Sequence, residues 1–259
     1  MDLGISGKRA LVCASSKGLG LGCAEALASA GVNLIMNARS ELDLMYSANR
    51  IIDTYGVEVE TVVADITSDN ERSIILNQIK NIDILVTNAG GPPPGTWEDW
   101  NKEDFVLALE ANMLTPISLM KHYLPGMMER GWGRVVNITS QSVKAPISTL
   151  GLSNSARAGL TGYVAGTSRQ VAYSGVTINN LLPGSHATDR IKNLLKSSSQ
   201  KQGVSVEDLR KELEASIPAK RLGTHTEFGE VCAFLCSKHA GFIIGQNILV
   251  DGGAVNVTL

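Results

Sequence analysis

Short apolar runs alternate with longer segments of helical periodicity along most of this chain. Continuously apolar short runs are typical of strands in a parallel sheet that is covered on both faces. The runs predict strands over Arg9–Cys13, Val32–Met36, Val59–Ala64, Ile82–Thr87, Arg134–Ile138, Thr177–Leu182 and Asn247–Val250. Helices are predicted over Leu19–Ala30, Glu41–Tyr55, Asn70–Lys80, Phe105–Arg130, Ser153–Tyr173 and Glu227–Ser237. This alternation predicts an α/β fold, a doubly wound parallel sheet in a single domain over residues 1–259.

Two stretches show neither the continuous apolar run of a strand nor the apolar periodicity of a helix. Gly90–Gly95 contains three consecutive prolines, and Ser185–Ala219 is rich in Ser, Lys and Gln around positions 197–202. Long irregular loops in a compact α/β domain are usually lids or binding loops. We therefore expect residues 185–219 to be a structureless substrate-loop insertion that caps the pocket.

Composition and charge exclude several classes of function. The net charge of −2, with 19% charged residues, gives no broad basic surface for nucleic acid. No apolar run is long enough for a membrane span, and Met1–Gly7 does not resemble a signal peptide. The cysteines have neither redox nor zinc spacing, so they predict core packing in a reduced cytoplasm and no metal site: Cys13, Cys23, Cys232 and Cys236.

A glycine-containing turn joins the first predicted strand to the first helix. Gly18 and Gly20 lie just before that helix, where glycine lets the backbone approach a pyrophosphate and the helix N-terminus offers free N–H groups. Ala14 stands where an earlier glycine is often found. The turn therefore predicts a dinucleotide site, with an ordinary tight turn as the alternative.

Two basic residues indicate which dinucleotide would bind. Lys17 lies in the turn, and Arg39 follows the second strand, about 20 residues further on. A carboxylate at that strand end would bind the ribose 2′-hydroxyl of NAD, whereas a basic residue accommodates the 2′-phosphate of NADP. The sequence thus favours NADP(H) over NAD(H), unless both residues are simply solvated surface charges.

With these motifs and Asn88-Ala89-Gly90 at the end of the fourth strand, the chain resembles the short-chain dehydrogenase/reductase superfamily, especially its 3-oxoacyl-[acyl-carrier-protein] reductase-like members. The resemblance covers nearly the whole chain and implies a Rossmann-type fold. It implies cofactor contacts from Ser15, Ser16, Lys17, Gly18, Leu19, Gly20, Arg39, Asp65, Ile66, Asn88, Ala89, Gly90, Arg157, Pro183, Gly184 and Thr188. It also implies that Asn112 and Ser140 belong to the catalytic site.

The chain departs from this family at its catalytic tyrosine and lysine. Counting 13 residues from Ser140 places Ser153 at the tyrosine position, and Arg157 follows at the lysine position. None of the five tyrosines has a lysine four residues later, so no other register restores the pair. Gly91-Pro92-Pro93-Pro94-Gly95 also departs from the usual pattern near the site. The expected catalytic set is therefore Asn112, Ser140, Ser153 and Arg157.

These replacements change the chemistry that the site can perform. A serine hydroxyl donates a hydrogen bond but is far less acidic than a phenol, and arginine stays charged and relays no proton. Several sources of the proton remain open: water polarised by Ser140 and Ser153, the loop residues Ser142 or Lys144, and His186 after the Pro183-Gly184 turn. Tyr163 lies about 15 Å along the helix from Ser153, which is too far. Ser153 also has a structural alternative, as a helix N-cap.

The function we predict is an NADP(H)-dependent oxidoreductase acting on a carbonyl or alcohol of a small-molecule or acyl-carrier substrate, with 3-oxoacyl compounds among the candidates. The missing tyrosine and lysine leave two alternatives, a nucleotide-binding protein without redox activity and a redirected lyase or isomerase. The resemblance implies a homodimer or homotetramer, with the two central helices pairing across a two-fold axis.

Overall fold

The structure is a computed structural model that describes residues 1–258. Its strands β1 to β7 span Arg9–Val12, Asn33–Ala38, Val59–Val63, Ile84–Thr87, Gly133–Ile138, Val176–Pro183 and Asn247–Val250. Its helices α1 to α9 span Gly18–Ser29, Glu41–Tyr55, Asp69–Gln78, Lys102–Leu109, Thr115–Glu129, Gly151–Val171, Asp189–Gln202, Val206–Ser216 and His225–Cys236.

Within the described residues, the strands form one parallel sheet in the order β3-β2-β1-β4-β5-β6-β7. The strand order reverses direction between β1 and β4. In open α/β sheets, ligands bind at such a switch point, beside the carboxyl ends of the strands. The predicted Rossmann-type, doubly wound sheet is confirmed. The bounds of a single domain over residues 1–259 stay a prediction.

The core consists of two apolar layers, one on each face of the sheet. Ala10 and Val12 of β1 join the layer that includes Phe228 of α9, and Leu11 joins the opposite layer with Leu119 of α5. Successive side chains of a strand point to opposite faces. Because both faces are covered, most strand positions are apolar, which explains the runs seen in the sequence.

A row of hydrogen-bonded polar side chains crosses this apolar sheet from β4 to β7. The Thr87 hydroxyl donates to Asn137 Oδ1 at 2.7 Å, and Asn137 Nδ2 donates to Asn180 Oδ1 at 3.3 Å. Asn180 Nδ2 then donates to Asn247 Oδ1 at 2.8 Å. These residues are register partners, so the row fixes how the four strands align near their carboxyl ends.

The long helix predicted over Phe105–Arg130 is interrupted. It begins three residues earlier, at a capping box in which Asn101 and Asp104 bond each other's backbone. A π-helical turn at Glu110–Leu114 then separates α4 from α5. Hydrophobic periodicity does not reveal a single extra residue in a helical turn, so the prediction missed it. Such turns are frequent at functional sites.

The prediction of a structureless segment over 185–219 is wrong. Helices α7 and α8 occupy most of it. Both helices are amphipathic, but most of their residues are polar, and Leu209 is the buried residue of α8. Their sequences therefore lack the broad apolar face that marks a core helix. Ser205 caps α8 by accepting from the Asp208 N–H. The segment does lie over the pocket, since α7 lines it.

Candidate functional site

A cleft of about 1070 Å³ lies at the carboxyl ends of the strands, beside the switch point between β1 and β4. Most of the residues predicted to bind the cofactor line it: Ser16, Lys17, Gly18, Leu19, Arg39, Asp65, Ile66, Asn88, Ala89, Gly90, Arg157, Pro183, Gly184 and Thr188. Ser140 and Ser153 line it as well. The fold therefore brings together predicted residues that are spread from Ser16 to Thr188 in the sequence.

The turn after β1 is shaped for close approach of a ligand. Gly18 has φ +59°, and a Cβ at Gly20 would collide with the carbonyl oxygen of Ala14. Ala14 itself has φ +48°, a left-handed conformation that costs about 1–2 kcal/mol for a residue other than glycine. Ala14 thus adopts the backbone conformation that an early glycine would provide without strain.

The first helix leaves its N-terminus open toward the cleft. Lys17 is the N-cap residue of α1, and its side chain forms no capping hydrogen bond with the described part of the chain. The first turn of α1 also contains no acidic residue. Unsatisfied backbone N–H groups and the positive end of the helix dipole thus face the cleft, as expected for a pyrophosphate site.

Ser15 is not brought to the cleft. It is fully buried, its N–H donates to the Asn37 carbonyl at 2.9 Å, and its Oγ accepts from the Asn37 N–H at 3.2 Å. Ser15 therefore ties the end of β1 to β2 and positions the turn rather than a ligand. Gly20 also lies behind the lining, where it allows close packing against Ala14.

The predicted 2′-phosphate site is exposed and carries two cations. Arg39 has a side chain that is 79% exposed, and its Nη1 lies 3.6 Å from Asp65 Oδ2. Lys17 Nζ lies 4.0 Å from Asp43. Exposed pairs at these distances contribute about 0–1 kcal/mol, so both cations can exchange their carboxylate for a phosphate.

Asp65 is held in its charged form. Desolvation raises its pKa, but two hydrogen bonds from Thr67 and the charge of Arg39 together lower the pKa below the usual range. Its Oδ1 is committed to Thr67, and Ile66 beside it is buried against the core. This pair forms a fixed edge where the adenine would lie.

Asn88 and Asn112 connect the switch point to the helix that contains the π turn. Asn88 Nδ2 donates to the Ala14 carbonyl at 3.4 Å, so β4 supports the first turn. Asn112 lies in the π turn and donates from Nδ2 to the Gly90 carbonyl at 3.4 Å, while its Oδ1 has no partner among residues 1–258. A cavity of about 10 Å³ lies between Asn112 and Arg157. That volume fits one water, which would satisfy the carboxamide oxygen.

Ser140 and Ser153 both have hydroxyls whose acceptor side is occupied. Ser140 Oγ accepts from the Ser142 N–H at 3.1 Å, and Ser153 Oγ accepts from Arg157 Nε at 3.2 Å. Ser153 is 3% exposed and lies inside α6, which begins at Gly151 after the N-cap Leu150. The N-cap alternative for Ser153 is therefore wrong. Each hydroxyl keeps its own hydrogen free to donate.

Arg157 is buried and connects the two elements that carry the serines of the site. Its Nη1 donates to the Ile138 carbonyl at 2.9 Å, so the guanidinium links α6 to the end of β5. Desolvation, together with the charge of Arg190, lowers the pKa of Arg157 to about 10. The side chain remains charged at neutral pH, which places a fixed positive charge beside Ser153.

His186 lines the cleft, but most of its ring is buried. It is 3% exposed, its Nδ1 lies 3.2 Å from the Gly184 carbonyl, and its ring packs edge-on against Phe228. Desolvation lowers the pKa of His186, against smaller opposing effects of the Gly184 hydrogen bond and of nearby carboxylates. Thr188, two residues later, lies against Gly18 and brings the start of α7 over the phosphate-binding turn.

The other proton sources considered from the sequence do not line the cleft. Ser142 is buried, Lys144 is half-buried, and Tyr163 packs against one of the two apolar layers of the core. Residues 1–258 contain no cluster of three or more His, Cys, Asp or Glu side chains that could hold a metal. Over the same range, no helix has the length and apolar character needed to cross a bilayer.

Several residues that line the cleft were not singled out in the sequence. Gln141 follows Ser140, and its Oε1 is buried without a partner in the described chain. Arg190 and Leu194 lie on α7. Arg190 follows Thr188 closely in the sequence, but with residues 185–219 taken as a loop nothing indicated which side chains face inward.

Comparison with known proteins gives a consistent set of relatives. A family model described as Enoyl-(Acyl carrier protein) reductase matches residues 13–255. The 3-oxoacyl-[acyl-carrier-protein] reductase FabG of Haemophilus influenzae is 33% identical over 255 residues, which are 96% of this chain and 98% of that protein. The NADPH-dependent reductase BacG of Bacillus subtilis is 29% identical over 257 residues, 97% of this chain and 99% of that protein.

Solved structures agree with the sequence comparison. The L-sorbose reductase of Gluconobacter frateurii, solved in complex with NADPH and L-sorbose, superposes with a TM-score of 0.94 and is 26% identical. The superposition covers 99% of this chain and 100% of that chain.

Proposed function

This chain belongs to the short-chain dehydrogenase/reductase family, and on that basis we propose that it reduces the carbonyl group of a small molecule with two serine hydroxyls in place of a phenol. The predicted class, an NADP(H)-dependent oxidoreductase acting on carbonyl or alcohol groups, is confirmed by the family and its reductase members. The predicted cofactor is confirmed by relatives that depend on NADPH or are solved with it. The substrate and the source of the proton are our proposal.

The residues of the cleft fit NADP(H). The open N-terminus of α1 and the absence of a side chain at Gly18, which lines the cleft, leave room for a pyrophosphate directly against the backbone. Arg39 and Lys17 would hold the 2′-phosphate, and Asp65 with Ile66 would border the adenine. When bound, the cofactor supplies or accepts the hydride. All other steps fall to side chains of this chain.

The observation that carries the proposal is the hydrogen bonding of Ser140 and Ser153. Each hydroxyl accepts from an N–H, so its hydrogen is available to a carbonyl oxygen in the cleft. Two such donors polarise a carbonyl and stabilise negative charge on its oxygen as the carbon is reduced. Donors arranged before the reaction are typically the largest single contribution to this kind of catalysis.

Arg157 orients one of these donors and strengthens it. Its Nε fixes Ser153, and its charge favours a hydroxyl that donates and an oxygen that becomes negative. Since arginine stays protonated at neutral pH, it does not supply the proton that completes the alcohol. That proton comes from water through the serine hydroxyls. This route is slower than transfer from a tuned phenol, because the donor is less acidic.

The proposal is tested by following the nicotinamide absorbance in a stopped-flow instrument, with saturating NADPH and a panel of ketones, aldehydes, oxo acids and 3-oxoacyl thioesters. We expect cofactor oxidation with at least one of these compounds. Saturated binding of NADPH without turnover across the panel would instead support a non-redox binding protein.

A double substitution distinguishes the two alternative functions. Ser153→Tyr with Arg157→Lys restores the residue types of the family at the matching positions. We expect the double variant to reduce the same substrates as the natural protein. Reductase activity that exists only in the double variant would indicate that the natural protein is a binding protein, a lyase or an isomerase.

We also propose that the protein assembles as a homodimer or homotetramer in the cytoplasm. Apolar side chains are exposed along the helices that the family pairs across its two-fold axis, with Val106 at 54%, Leu107 at 68% and Leu114 at 44%. All four cysteines are free and buried, which fits a reducing compartment. Sedimentation at micromolar concentration should show two or four copies, and a monomer alone would contradict the proposal.

A further inference from the structure

Two guanidinium groups in the cleft have no carboxylate partner within residues 1–258. Arg157 donates to neutral oxygens, those of Ser153 and Ile138. Arg190, on the first turn of α7, forms neither an ion pair nor a hydrogen bond with the described residues. Arg190 lines the cleft and is exposed to it, and partial desolvation lowers its pKa. A partly desolvated cation is costly unless an anion accompanies it.

The carboxylates that line the cleft do not supply that anion, because each pairs with a different cation. The pairs are Asp43 with Lys17, Asp65 with Arg39 and Asp189 with Lys192. The like charge of Arg190 also lowers the pKa of Arg157, after desolvation, and no carboxylate opposes it. The inner end of the cleft is therefore positive, and the anion that balances it must come with a ligand.

The position of Arg190 separates it from the pyrophosphate site. Thr188 lies against Gly18, which marks where the first helix would bind the pyrophosphate. Arg190 instead reaches the loop after β4, where its guanidinium lies so close to Gly91 that a Cβ there would collide with it. The side chain thus crosses the cleft toward the loop after β4, near enough to Arg157 for its charge to lower the pKa of Arg157, and glycine at position 91 makes this possible.

An apolar wall adjoins the guanidinium. Residues of three separate segments form it, namely Pro94, Ile147, Leu150, Ile191 and Leu194. A ligand that fits these surroundings has a short apolar portion and a single negative group. With the two serine hydroxyls nearby, the remaining functional group is the carbonyl.

We propose that Arg190 binds the carboxylate of a small oxo acid, so that the substrate is a free acid rather than a thioester. This inference rests on the proposed reductase function and names the substrate class of the same site. The guanidinium offers two parallel N–H donors, which match a carboxylate and fix the orientation of the carbonyl toward Ser140 and Ser153. A thioester has no charge at that position and gains nothing from Arg190.

The test compares short-chain 2-oxo and 3-oxo acids, each against its methyl ester, with saturating NADPH. In Arg190→Gln we expect KM for the acid to rise about 10- to 100-fold while KM for the ester is unchanged. Lys192→Gln is the matched control, because it removes the same charge from the same helix at a residue outside the lining. Gly91→Ala should reproduce the loss, since it displaces the guanidinium without removing it.

Equal losses for acid and ester in Arg190→Gln would overturn the proposal. So would an unchanged preference together with weaker NADPH binding, which would assign Arg190 to the phosphates of the cofactor. If the natural protein reduces none of these compounds, the proposed reductase function fails. The role of Arg190 is then tested separately by calorimetry, which measures how tightly the NADP⁺ complex binds 3-hydroxybutanoate and its methyl ester. If Arg190 binds the carboxylate, the acid will bind more tightly than the ester, and Arg190→Gln will abolish this difference in affinity.

Discussion

Removing the Ser153 hydroxyl is the sharpest test of catalysis without a phenol. In Ser153→Ala we expect kcat to fall about 10²- to 10³-fold, the usual effect of losing one preorganised donor to a developing oxyanion, or about 2.7–4 kcal/mol. Arg157 loses its acceptor at 3.2 Å but keeps the Ile138 carbonyl at 2.9 Å, so it stays in place. The affinity for NADPH should therefore change less than about threefold. Leaving a buried N–H unsatisfied should also lower the free energy of unfolding by about 1–3 kcal/mol.

The assay is single-turnover reduction in a stopped-flow instrument, with NADPH affinity measured separately by fluorescence. Ser155→Ala is the matched control, since Ser155 lies on the same helix, is exposed and donates to the Gly151 carbonyl. The control should retain the natural rate. A Ser153→Ala rate within about twofold of the natural protein would refute the reasoning, because the hydroxyl would then have no part in the chemistry.

Three further predictions concern the cofactor, the sheet and the pH dependence of stability. Arg39→Gln should lower the preference for NADPH over NADH in kcat/KM about tenfold, while Arg50→Gln, an exposed charge paired with Glu25 outside the cleft, should not. Asn137→Leu breaks the polar row between two strands and should lower the free energy of unfolding in urea by about 2–4 kcal/mol. Hydrogen bonding by Arg221 lowers the pKa of Glu227 to about 2 from 4.5. The ionised Glu227 therefore stabilises the fold fully above pH 4.5, and this stabilisation is lost as pH falls toward 2. Glu227→Gln should flatten the acid limb of the curve of unfolding free energy against pH over that interval.

The sheet and the cofactor cleft could be predicted because their signals are local. Most positions of each buried strand are apolar, and the turn around Gly18 joins the first strand to a helix with the glycines that a dinucleotide site needs. The doubly wound order then places the carboxyl ends of the strands on one edge. Residues as far apart as Gly18, Asn88 and Thr188 could be expected to meet there before any coordinates were known.

The features that the sequence did not reveal depend on tertiary contacts. The π turn around Asn112 adds one residue to a helical turn without changing the apolar pattern. Helix α7 buries little apolar surface, so its inward-facing Arg190 gave no periodic signal. Ser15 was expected to contact the cofactor because of its place in a motif, and its burial against Asn37 became evident only once β1 and β2 were paired.

The replacement of tyrosine and lysine was evident from spacing, but its consequence was not. Only the structure shows that Arg157, which lines the cleft, donates from Nε to Ser153 Oγ. Because of that contact, the two replacements act together: Arg157 orients Ser153, and the Ser153 hydroxyl is the hydrogen-bond donor. It also excludes the helix N-cap role, because α6 begins before Ser153.

The most direct measurement is the fate of deuterium in NADPH labelled at the transferred C4 position, with the oxo acid that the protein reduces most efficiently. If Ser140 and Ser153 support net reduction, mass spectrometry of the alcohol will find one deuterium on the former carbonyl carbon for each cofactor oxidised. Substrate conversion without deuterium in the product, and with the cofactor intact, would show that this pocket carries out a different reaction.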